Sequence, residues 1–299
     1  MAPLVLVRYG ELALKSPPVR REFEATLRRN ILALFASEGL ECRLRSDRGH
    51  FYVEVADADR AIALLRRVFG VTSVSQVWPV ASDPAQIKQA VIRLAEPTLA
   101  PGCSFAVRAR RTGNHPFTSQ QLAGEVGHEV LTWYADRKLS VDLEHPDVEL
   151  FVEVRDKVTY LSLGRMRGPG GLPSGVAGHV VALVDGRRGA LGAYLMMKRG
   201  CRTALVTTPE GEELARLVLA RFDPGVSITS APTPGPPRES TLLRVVENER
   251  AEAIVLPLSV EEYPAARGQW KDRMVFSPTV GLADAEVEDR WRGVVALAG

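Results

Sequence analysis

The sequence predicts an α/β protein of 299 residues with three parts. These are an N-terminal ferredoxin-like domain over 1–80, a second α/β domain over 81–167, and a C-terminal doubly wound parallel sheet over 168–299. Three observations predict this fold class. Strand and helix patterns follow the order β-α-β-β-α-β over the first 80 residues. Glycines and prolines interrupt regular structure between Gly168 and Gly175. Continuous apolar strands then alternate with helices.

The first domain opens with a β-branched strand at Leu4–Val7. Apolar residues recur at helical spacing over Arg20–Phe35, opposite a basic face. Alternating segments on either side of Asp47–Gly49 predict a hairpin. A helix over Asp57–Val68 and a strand over Val71–Val80 complete the unit.

The second domain also combines helical and strand patterns, but they are spaced differently along the chain. Helical patterns cover Pro84–Leu94 and Thr118–Ala135. Alternating patterns predict strands at Ser104–Arg110, Val148–Val154 and Thr159–Leu163.

In the third domain, each apolar strand is followed by a helical pattern. The predicted strands are Val180–Val184, Thr203–Thr207 and Ser227–Ser230, and the helices Gly189–Arg199 and Glu210–Arg221. A proline-rich loop at Ala231–Pro237 precedes the segments Thr241–Glu249 and Ala253–Leu256, which continue the alternation.

Charge gives only a weak indication of the partner. The net charge is +2, but 32 of the 38 basic residues are arginine, whose planar guanidinium pairs with phosphate at two points. No apolar run approaches the length of a membrane span, and the first residues lack the layout of a secretory signal. The sequence therefore predicts a cytoplasmic protein with no membrane partner.

The cysteines and histidines do not predict a metal site. Cys42, Cys103 and Cys201 lie far apart and form no disulfide, redox or zinc pattern. We expect each to be a small buried hydrophobe. The five histidines form no ligand cluster in sequence, so no metal is expected.

Several motifs, in order along the chain, resemble the tRNA 4-thiouridine synthetase family. They are Arg8-Tyr-Gly-Glu-Leu-Ala-Leu-Lys15, Arg20-Arg-Glu-Phe-Glu-Ala-Thr-Leu27, Val107-Arg-Ala-Arg-Arg111, Val141-Asp-Leu with Pro146-Asp147, Gly170-Gly-Leu-Pro-Ser-Gly175 and Ala193-Tyr-Leu-Met-Met-Lys-Arg-Gly-Cys201. The resemblance implies that the second domain is a tRNA-binding THUMP domain. It also implies that the third is a PP-loop ATP-pyrophosphatase domain using ATP with Mg²⁺.

The segment at the expected phosphate loop departs from the family. The family pattern Ser-Gly-Gly-x-Asp-Ser aligns with Val184-Asp-Gly-Arg-Arg-Gly189, so that only Gly186 is kept. Asp185 replaces a glycine with a carboxylate, and Arg188 replaces the aspartate, although Arg187 and Arg188 could together hold a phosphate. The nucleotide-binding residues predicted from this alignment are Leu183, Val184, Asp185, Gly186, Arg187, Arg188, Gly189, Thr207 and Thr208. The changes predict an impaired adenylation site.

The features expected to contact RNA are better kept. Arginines beside an exposed aromatic ring suit the phosphates and unstacked bases of a tRNA acceptor end. The predicted RNA-binding residues are Lys15, Arg20, Arg21, Arg108, Arg110, Arg111, Phe117, Arg165 and Arg167.

The preferred interpretation is a tRNA-binding protein with an impaired ATP site. No cysteine follows Cys201, so a persulfide carrier is not expected in the PP-loop domain, and no rhodanese domain is expected. Catalytic residues therefore stay unassigned. Two alternatives remain open: an active ATP-dependent tRNA sulfurtransferase with an external sulfur donor, and a nucleotide- or small-molecule-binding protein without an RNA role.

The partner expected first is the acceptor end of tRNA. A separate sulfur donor, an active modification subunit and a second copy of the chain in a homodimer are compatible with the sequence.

Overall fold

One strand runs through two of the three parts of the molecule. The computed structural model describes residues 4–10, 16–47, 49–231, 236–270 and 273–299. Strand β4 (Val71–Ala81) pairs with β1 (Leu4–Tyr9) through its first half and with β8 (Val158–Ser162) through its second. Next to β1 lie β3 (His50–Val55) and then β2 (Cys42–Asp47), and next to β8 lie β7 (Val148–Val154), β5 (Ser104–Arg111) and β6 (Ser140–Val141), with β9 (Met166–Arg167) on β4. The first two domains therefore share a sheet.

The first unit has the predicted β-α-β-β-α-β order. Its elements are β1 (Leu4–Tyr9), α1 (Pro17–Ser37), β2 (Cys42–Asp47), β3 (His50–Val55), α2 (Ala58–Leu65) and β4. The predicted hairpin is confirmed, with Asp47 opposite His50. Helix α1 begins three residues earlier than predicted because Pro17 and Pro18 occupy its first turn, where a missing N–H costs nothing.

The second unit places two helices on one face of its strands. Its elements are α3 (Pro84–Ala95), β5 (Ser104–Arg111), α4 (Ser119–Trp133), β6 (Ser140–Val141), β7 (Val148–Val154), β8 (Val158–Ser162) and β9 (Met166–Arg167). Ile87, Phe105, Leu122 and Val152 are among the core residues beneath the helices. The opposite face of β5 and β7 carries charged side chains.

The third unit is the predicted doubly wound parallel sheet. Its strands are β10 (His179–Val184), β11 (Arg202–Thr207), β12 (Ile228–Ser230), β13 (Ala253–Val255) and β14 (Met274–Phe276), in the order β12-β11-β10-β13-β14. Its helices are α5 (Arg187–Lys198), α6 (Pro209–Leu217), α7 (Pro236–Asn248), α8 (Tyr263–Gln269) and α9 (Asp284–Ala298). Residues of α5, α6 and α9 pack on one face, and those of α7 and α8 on the other.

The third unit is packed directly against the first. Phe69, just after α2, contacts Tyr194 and Phe222, with ring centroids 5.4 Å away in each case. The glycine-rich segment between the units is tied to both, since Gly168 donates to Thr72 O and Leu172 to Lys198 O. A Cβ on Gly171, whose φ is +73°, would lie 2.0 Å from Lys198 O. This segment is therefore hydrogen-bonded to both units and packs tightly against the backbone of the third.

No helix among the described residues is long and apolar enough to cross a membrane. Within the same ranges, no three His, Cys, Asp or Glu side chains are grouped as metal ligands would be.

Candidate nucleic-acid interface and carboxyl-edge loop

Two of the predicted RNA-binding arginines lie on the helix-free face of the second unit. Val107 and Ala109 point toward the core, so Arg108 and Arg110 alternate to the opposite face. In the parallel register, Arg108 pairs with Phe151 and Arg110 with Glu153. The sheet therefore presents guanidinium, aromatic and carboxylate groups side by side.

These arginines line a cleft of about 440 Å³ that follows the free edge of β5. The edge is free because β6 pairs only with Ser104 and Phe105. Residues on the rim and walls include Arg108, Arg110, Ser119, Phe151, Glu153 and Arg165. The fold thus brings together three predicted RNA-binding residues that are separated by up to 57 positions in sequence.

The three arginines differ in how far they are already paired. Arg110 is exposed and makes no hydrogen bond or ion pair within the described ranges. Arg108 donates Nε to Glu149 Oε1 at 2.9 Å and Nη2 to Leu143 O at 2.7 Å. Arg165 donates Nη2 to Glu153 Oε1 at 3.0 Å, and its guanidinium lies 5.0 Å from the Phe151 ring centre.

The next two predicted residues are Arg111, which ends β5, and Phe117, in the loop that follows. Arg111 is exposed and donates to His115 O at 3.3 Å. Phe117 was predicted to be an exposed aromatic residue, but it is half-buried against the core, with its ring 5.4 Å from His115. Part of the Phe117 ring is used for packing, so stacking on a base would involve only its exposed part.

A second group of arginines lies at the start of α1. Arg20 is paired with Glu24 at 2.8 Å, and the Tyr9 hydroxyl donates to the same carboxylate. Arg21 is exposed, and no bond to its side chain occurs in the described part of the chain. Lys15 lies outside the described residues. Arg167 is exposed on β9, next to β4.

Sequence reasoning missed a buried ionic group between the first two units. Arg8, the first residue of the first family-like motif, is only 8% exposed and pairs with Glu153. Glu153 also contacts Arg165 and Arg155. Burial alone would raise the pKa of Glu153, but Arg8 and Arg165 hold it below its ordinary value. One sequence feature could have indicated this group: a charged residue lies within each of two largely apolar strands, Arg8 in β1 and Glu153 in β7.

The predicted nucleotide-binding loop lies where β10 meets α5, at the carboxyl edge of the parallel sheet. This is the edge at which such sheets bind ligands. Asp185 and Gly186 form the turn, and Thr207 and Thr208 follow on the neighbouring strand. The Thr208 N–H donates to Val184 O at 3.1 Å. The fold thus gathers the predicted residues at one place.

Both arginines of the loop bind other parts of the protein. Arg187 donates to Glu288 at 2.6 Å. Arg188 donates to Thr279 O at 2.8 Å, to Leu282 O at 2.9 Å and to Asp284 Oδ1 at 2.7 Å. These bonds fix α5 to α9 and to the segment before it, so both guanidinium groups already have partners within the protein.

The carboxylate of Asp185 lies in a mixed electrostatic environment. Burial raises its pKa, Arg238 at 3.8 Å acts in the opposite direction, and Glu262 and Glu210 raise it further. Three carboxylates therefore influence the loop at which polyphosphate would lie.

Three threonine hydroxyls at this edge, those of Thr207, Thr208 and Thr279, are buried without a hydrogen-bond partner in the described ranges. Thr207, at the end of β11, and Thr279, before α9, have no exposed surface. An unpaired buried hydroxyl is costly, so these atoms mark the part of the edge best able to accept a ligand.

A larger cleft, of about 600 Å³, lies at the opposite edge of the parallel sheet against α1. Phe69 and Phe222 line it together with His179, Arg202 and Asp223. No residue of the predicted sites lines this cleft.

Comparisons with known proteins match the first two units. The family models for a ThiI ferredoxin-like domain and a THUMP domain match residues 4–75 and 81–164. A probable tRNA sulfurtransferase of Methanothermobacter thermautotrophicus is 36% identical over 232 residues, which are 73% of this chain and 58% of that protein. Its counterpart in Methanosarcina acetivorans is 38% identical over 222 residues, covering 71% and 53%. The chain thus spans little more than half the length of these relatives.

Solved structures support the fold of the whole chain. PH1313 from Pyrococcus horikoshii superposes with a TM-score of 0.81 at 24% identity, covering 98% of this chain and 99% of that one. A 4-thiouridine synthetase, solved as an RNA complex with bound ATP, superposes with a TM-score of 0.77 at 21% identity. That match covers 100% of this chain and 86% of the other.

Proposed function

Because the chain belongs to the tRNA sulfurtransferase family, by its ferredoxin-like and THUMP domains and its homologues, we propose that it binds tRNA and has an impaired ATP site. The domains proposed to carry these properties are 1–80 and 81–167 for RNA, and 168–299 for the altered nucleotide site. The acceptor end is the proposed part of tRNA, as the resemblance implies.

One observation carries the RNA-binding proposal. Arg110 and Arg165 line one cleft beside Phe151, and Arg110 has no internal partner within the described ranges. Guanidinium groups next to an aromatic face suit a sugar-phosphate chain and an unstacked base. Arg20, Arg21 and Lys15 at α1, with Arg111, Phe117 and Arg167, are proposed to extend the contact.

The residues of the carboxyl edge do not fit ATP in the manner that the family implies. A phosphate loop offers free backbone N–H groups and cations. Here Arg187 and Arg188 are engaged by Glu288, Asp284 and backbone carbonyls, and Asp185 places a carboxyl group in the turn. Two like charges 4 Å apart repel by about 1 to 4 kcal/mol at a partly screened site.

A second candidate is an active sulfurtransferase that uses a separate sulfur donor. The unpaired hydroxyls of Thr207 and Thr279 favour it, because they could accept hydrogen bonds or donate them to a ligand at the same edge. In this candidate Arg188 and Asp185 would have to change partners on binding. If the site at the carboxyl edge stays closed to ATP, the proposed partner is instead an active modification subunit or a second copy of the chain.

Two binding measurements test the proposal. Filter binding of unmodified tRNA should give saturable affinity that falls steeply with salt. Equilibrium dialysis with ATP and Mg²⁺, with and without tRNA, should show no saturation at micromolar ATP. Pyrophosphate release from ATP on addition of tRNA would replace the impaired-site proposal with the active enzyme. Absence of tRNA binding would refute the main proposal.

A further inference from the structure

The buried ionic group between the first two domains contains more positive than negative charge. Glu153 Oε1 accepts from Arg8 and from Arg165, the latter at 3.0 Å, and Arg155 lies 3.7 Å from Oε2. One carboxylate is thus shared by three guanidinium groups. The four side chains carry a formal charge of +2, and His50 is a further group acting on Glu153.

This surplus is shielded from water. The side chains of Arg8, Arg155 and Glu153 are between 10% and 13% exposed. The Nε atoms of Arg8, Arg155 and Arg165 are all buried without a hydrogen-bond partner within the described ranges. A charge taken out of water is costly unless it is paired and hydrogen-bonded, so the described residues by themselves leave this group incompletely neutralised.

Aromatic rings supply part of the compensation. Arg165 lies over Phe151, and Arg155 lies 5.9 Å from the ring centres of Tyr52 and Tyr160. Such contacts offset a fraction of the desolvation cost but accept no N–H bond in the plane of the guanidinium. Arg165 therefore keeps donor capacity that neither Glu153 nor Phe151 uses.

The group opens to solvent through the cleft along β5. Arg165 and Glu153 form its inner wall, and the unpaired Arg110 stands on the strand beside Glu153. Ser119 and the first turn of α4 close another side, and that turn contains no acidic residue. The positive end of the α4 dipole is therefore added to the arginines. Glu149 on the same face is already paired with Arg108.

We propose that this cleft binds one phosphate group between Arg110 and Arg165, and that the phosphate is the missing counter-charge of the Arg8–Glu153–Arg155–Arg165 group. Glu153 is a positioning residue that holds Arg165 at the cleft. The inference rests on the proposed function insofar as the phosphate comes from an RNA chain. Free inorganic phosphate has the same chemistry and is the second source.

Titration with inorganic phosphate tests the site without RNA. Thermal unfolding and calorimetry are measured in phosphate and in chloride at equal ionic strength, for the full chain and for Arg110→Gln, Arg165→Gln and a control, Arg45→Gln. Arg45 is a half-exposed arginine on β2 with one carboxylate partner, Glu54. Phosphate should stabilise the parent and the control, and its Kd should rise about tenfold in each cleft variant, the loss of a charge-assisted hydrogen bond.

Glu153→Gln provides a second test, in which phosphate affinity should change in the opposite direction. It removes the one negative charge that the described residues supply to the group, but the amide oxygen of glutamine can still accept from Arg165. Phosphate binding should therefore tighten severalfold, even though the protein itself becomes less stable. A merely structural cluster would lose stability in this variant with no gain in phosphate affinity. Arg110 is exposed, so Arg110→Gln remains informative if Glu153→Gln does not fold.

Binding of tRNA distinguishes failure of this inference from failure of the proposed function. If phosphate binds at the cleft and tRNA does not bind at all, the anion site stands and the proposed function falls. If tRNA binds but phosphate neither stabilises the protein nor competes, and Arg165→Gln leaves tRNA affinity unchanged, the anion site is overturned alone. Competition between phosphate and tRNA, lost in Arg165→Gln, supports RNA as the source.

Discussion

Phe69 of the ferredoxin-like domain stacks on Phe222 of the C-terminal domain, with ring centroids 5.4 Å apart and planes inclined by 27°. Tyr194 completes the group, 5.2 Å from Phe222. Phe69 is 2% exposed and belongs to the core of the C-terminal domain although it comes from the other one. The two domains are therefore joined by a shared apolar core.

Phe69→Ala should lower the free energy of unfolding by about 3 to 5 kcal/mol, the usual loss for a buried aromatic side chain. Urea denaturation followed by tryptophan fluorescence measures it. Trp133, which is 66% exposed, offers a control, because Trp133→Ala should change stability by less than about 0.5 kcal/mol. Equal effects of the two substitutions would contradict a shared core.

Arg110→Ala combined with Arg111→Ala should weaken tRNA binding and flatten its dependence on salt. Each lost phosphate contact removes about 0.7 to 0.9 from the slope of log K against log salt. Filter binding at several salt concentrations gives the slope. Arg45→Ala with Arg292→Ala removes the same charge from β2 and α9, and should leave the slope near that of the parent. An unchanged slope in the first pair would exclude the carboxyl end of β5 from the interface.

Gly189→Ser, a change toward the family's phosphate-loop pattern, should destabilise the protein by about 1 to 3 kcal/mol through overpacking. Its Cβ would lie 2.6 Å from Leu183 O and 3.1 Å from Asp185 Oδ1. Gly186→Ser is the matched control, because no atom lies within 4 Å of a Cβ there. Thermal unfolding of both variants decides the point, and a stable Gly189→Ser protein would show that the loop rearranges easily.

Asp185→Asn should change how stability depends on pH. Burial, Glu262 and Glu210 raise the pKa of Asp185 in the folded protein, and Arg238 opposes them. The folded state then binds the proton more tightly than the unfolded state, so this group lowers stability as the pH rises through its folded pKa. Relative to the parent, Asp185→Asn should gain stability between pH 4 and pH 7 in urea denaturation. A relative loss over that interval would mean that the Arg238 pair dominates.

Much of the fold could be predicted from local sequence patterns. The hairpin at Asp47–Gly49, the helices of the first two domains and the parallel strands have strong periodicity, and the fold class and family resemblance are confirmed. Beyond residue 256 the patterns are shorter. β14 has only three residues, too few to show the alternation of a strand. In α9, Val287, Trp291 and Val294 have helical spacing, from which this helix could have been predicted.

The candidate site was harder to predict because its pairings join distant parts of the chain. Sequence patterns gave no means of pairing Arg188 with Asp284, or Arg8 with Glu153, which lie 96 and 145 positions apart. A guanidinium is usually exposed, whereas that of Arg8 is buried. Its burial follows from the shared sheet, which no local pattern encodes.

The continuity of β4 has a geometric consequence for RNA. Because the same strand pairs with β1 and then with β8, the α1 arginines and the β5 cleft are carried by one continuous β-sheet. Their separation is set by the pitch and twist of a β-sheet. On the proposed function, a nucleic acid that contacted both would have to present phosphates at that distance, so binding would depend on the shape of the RNA.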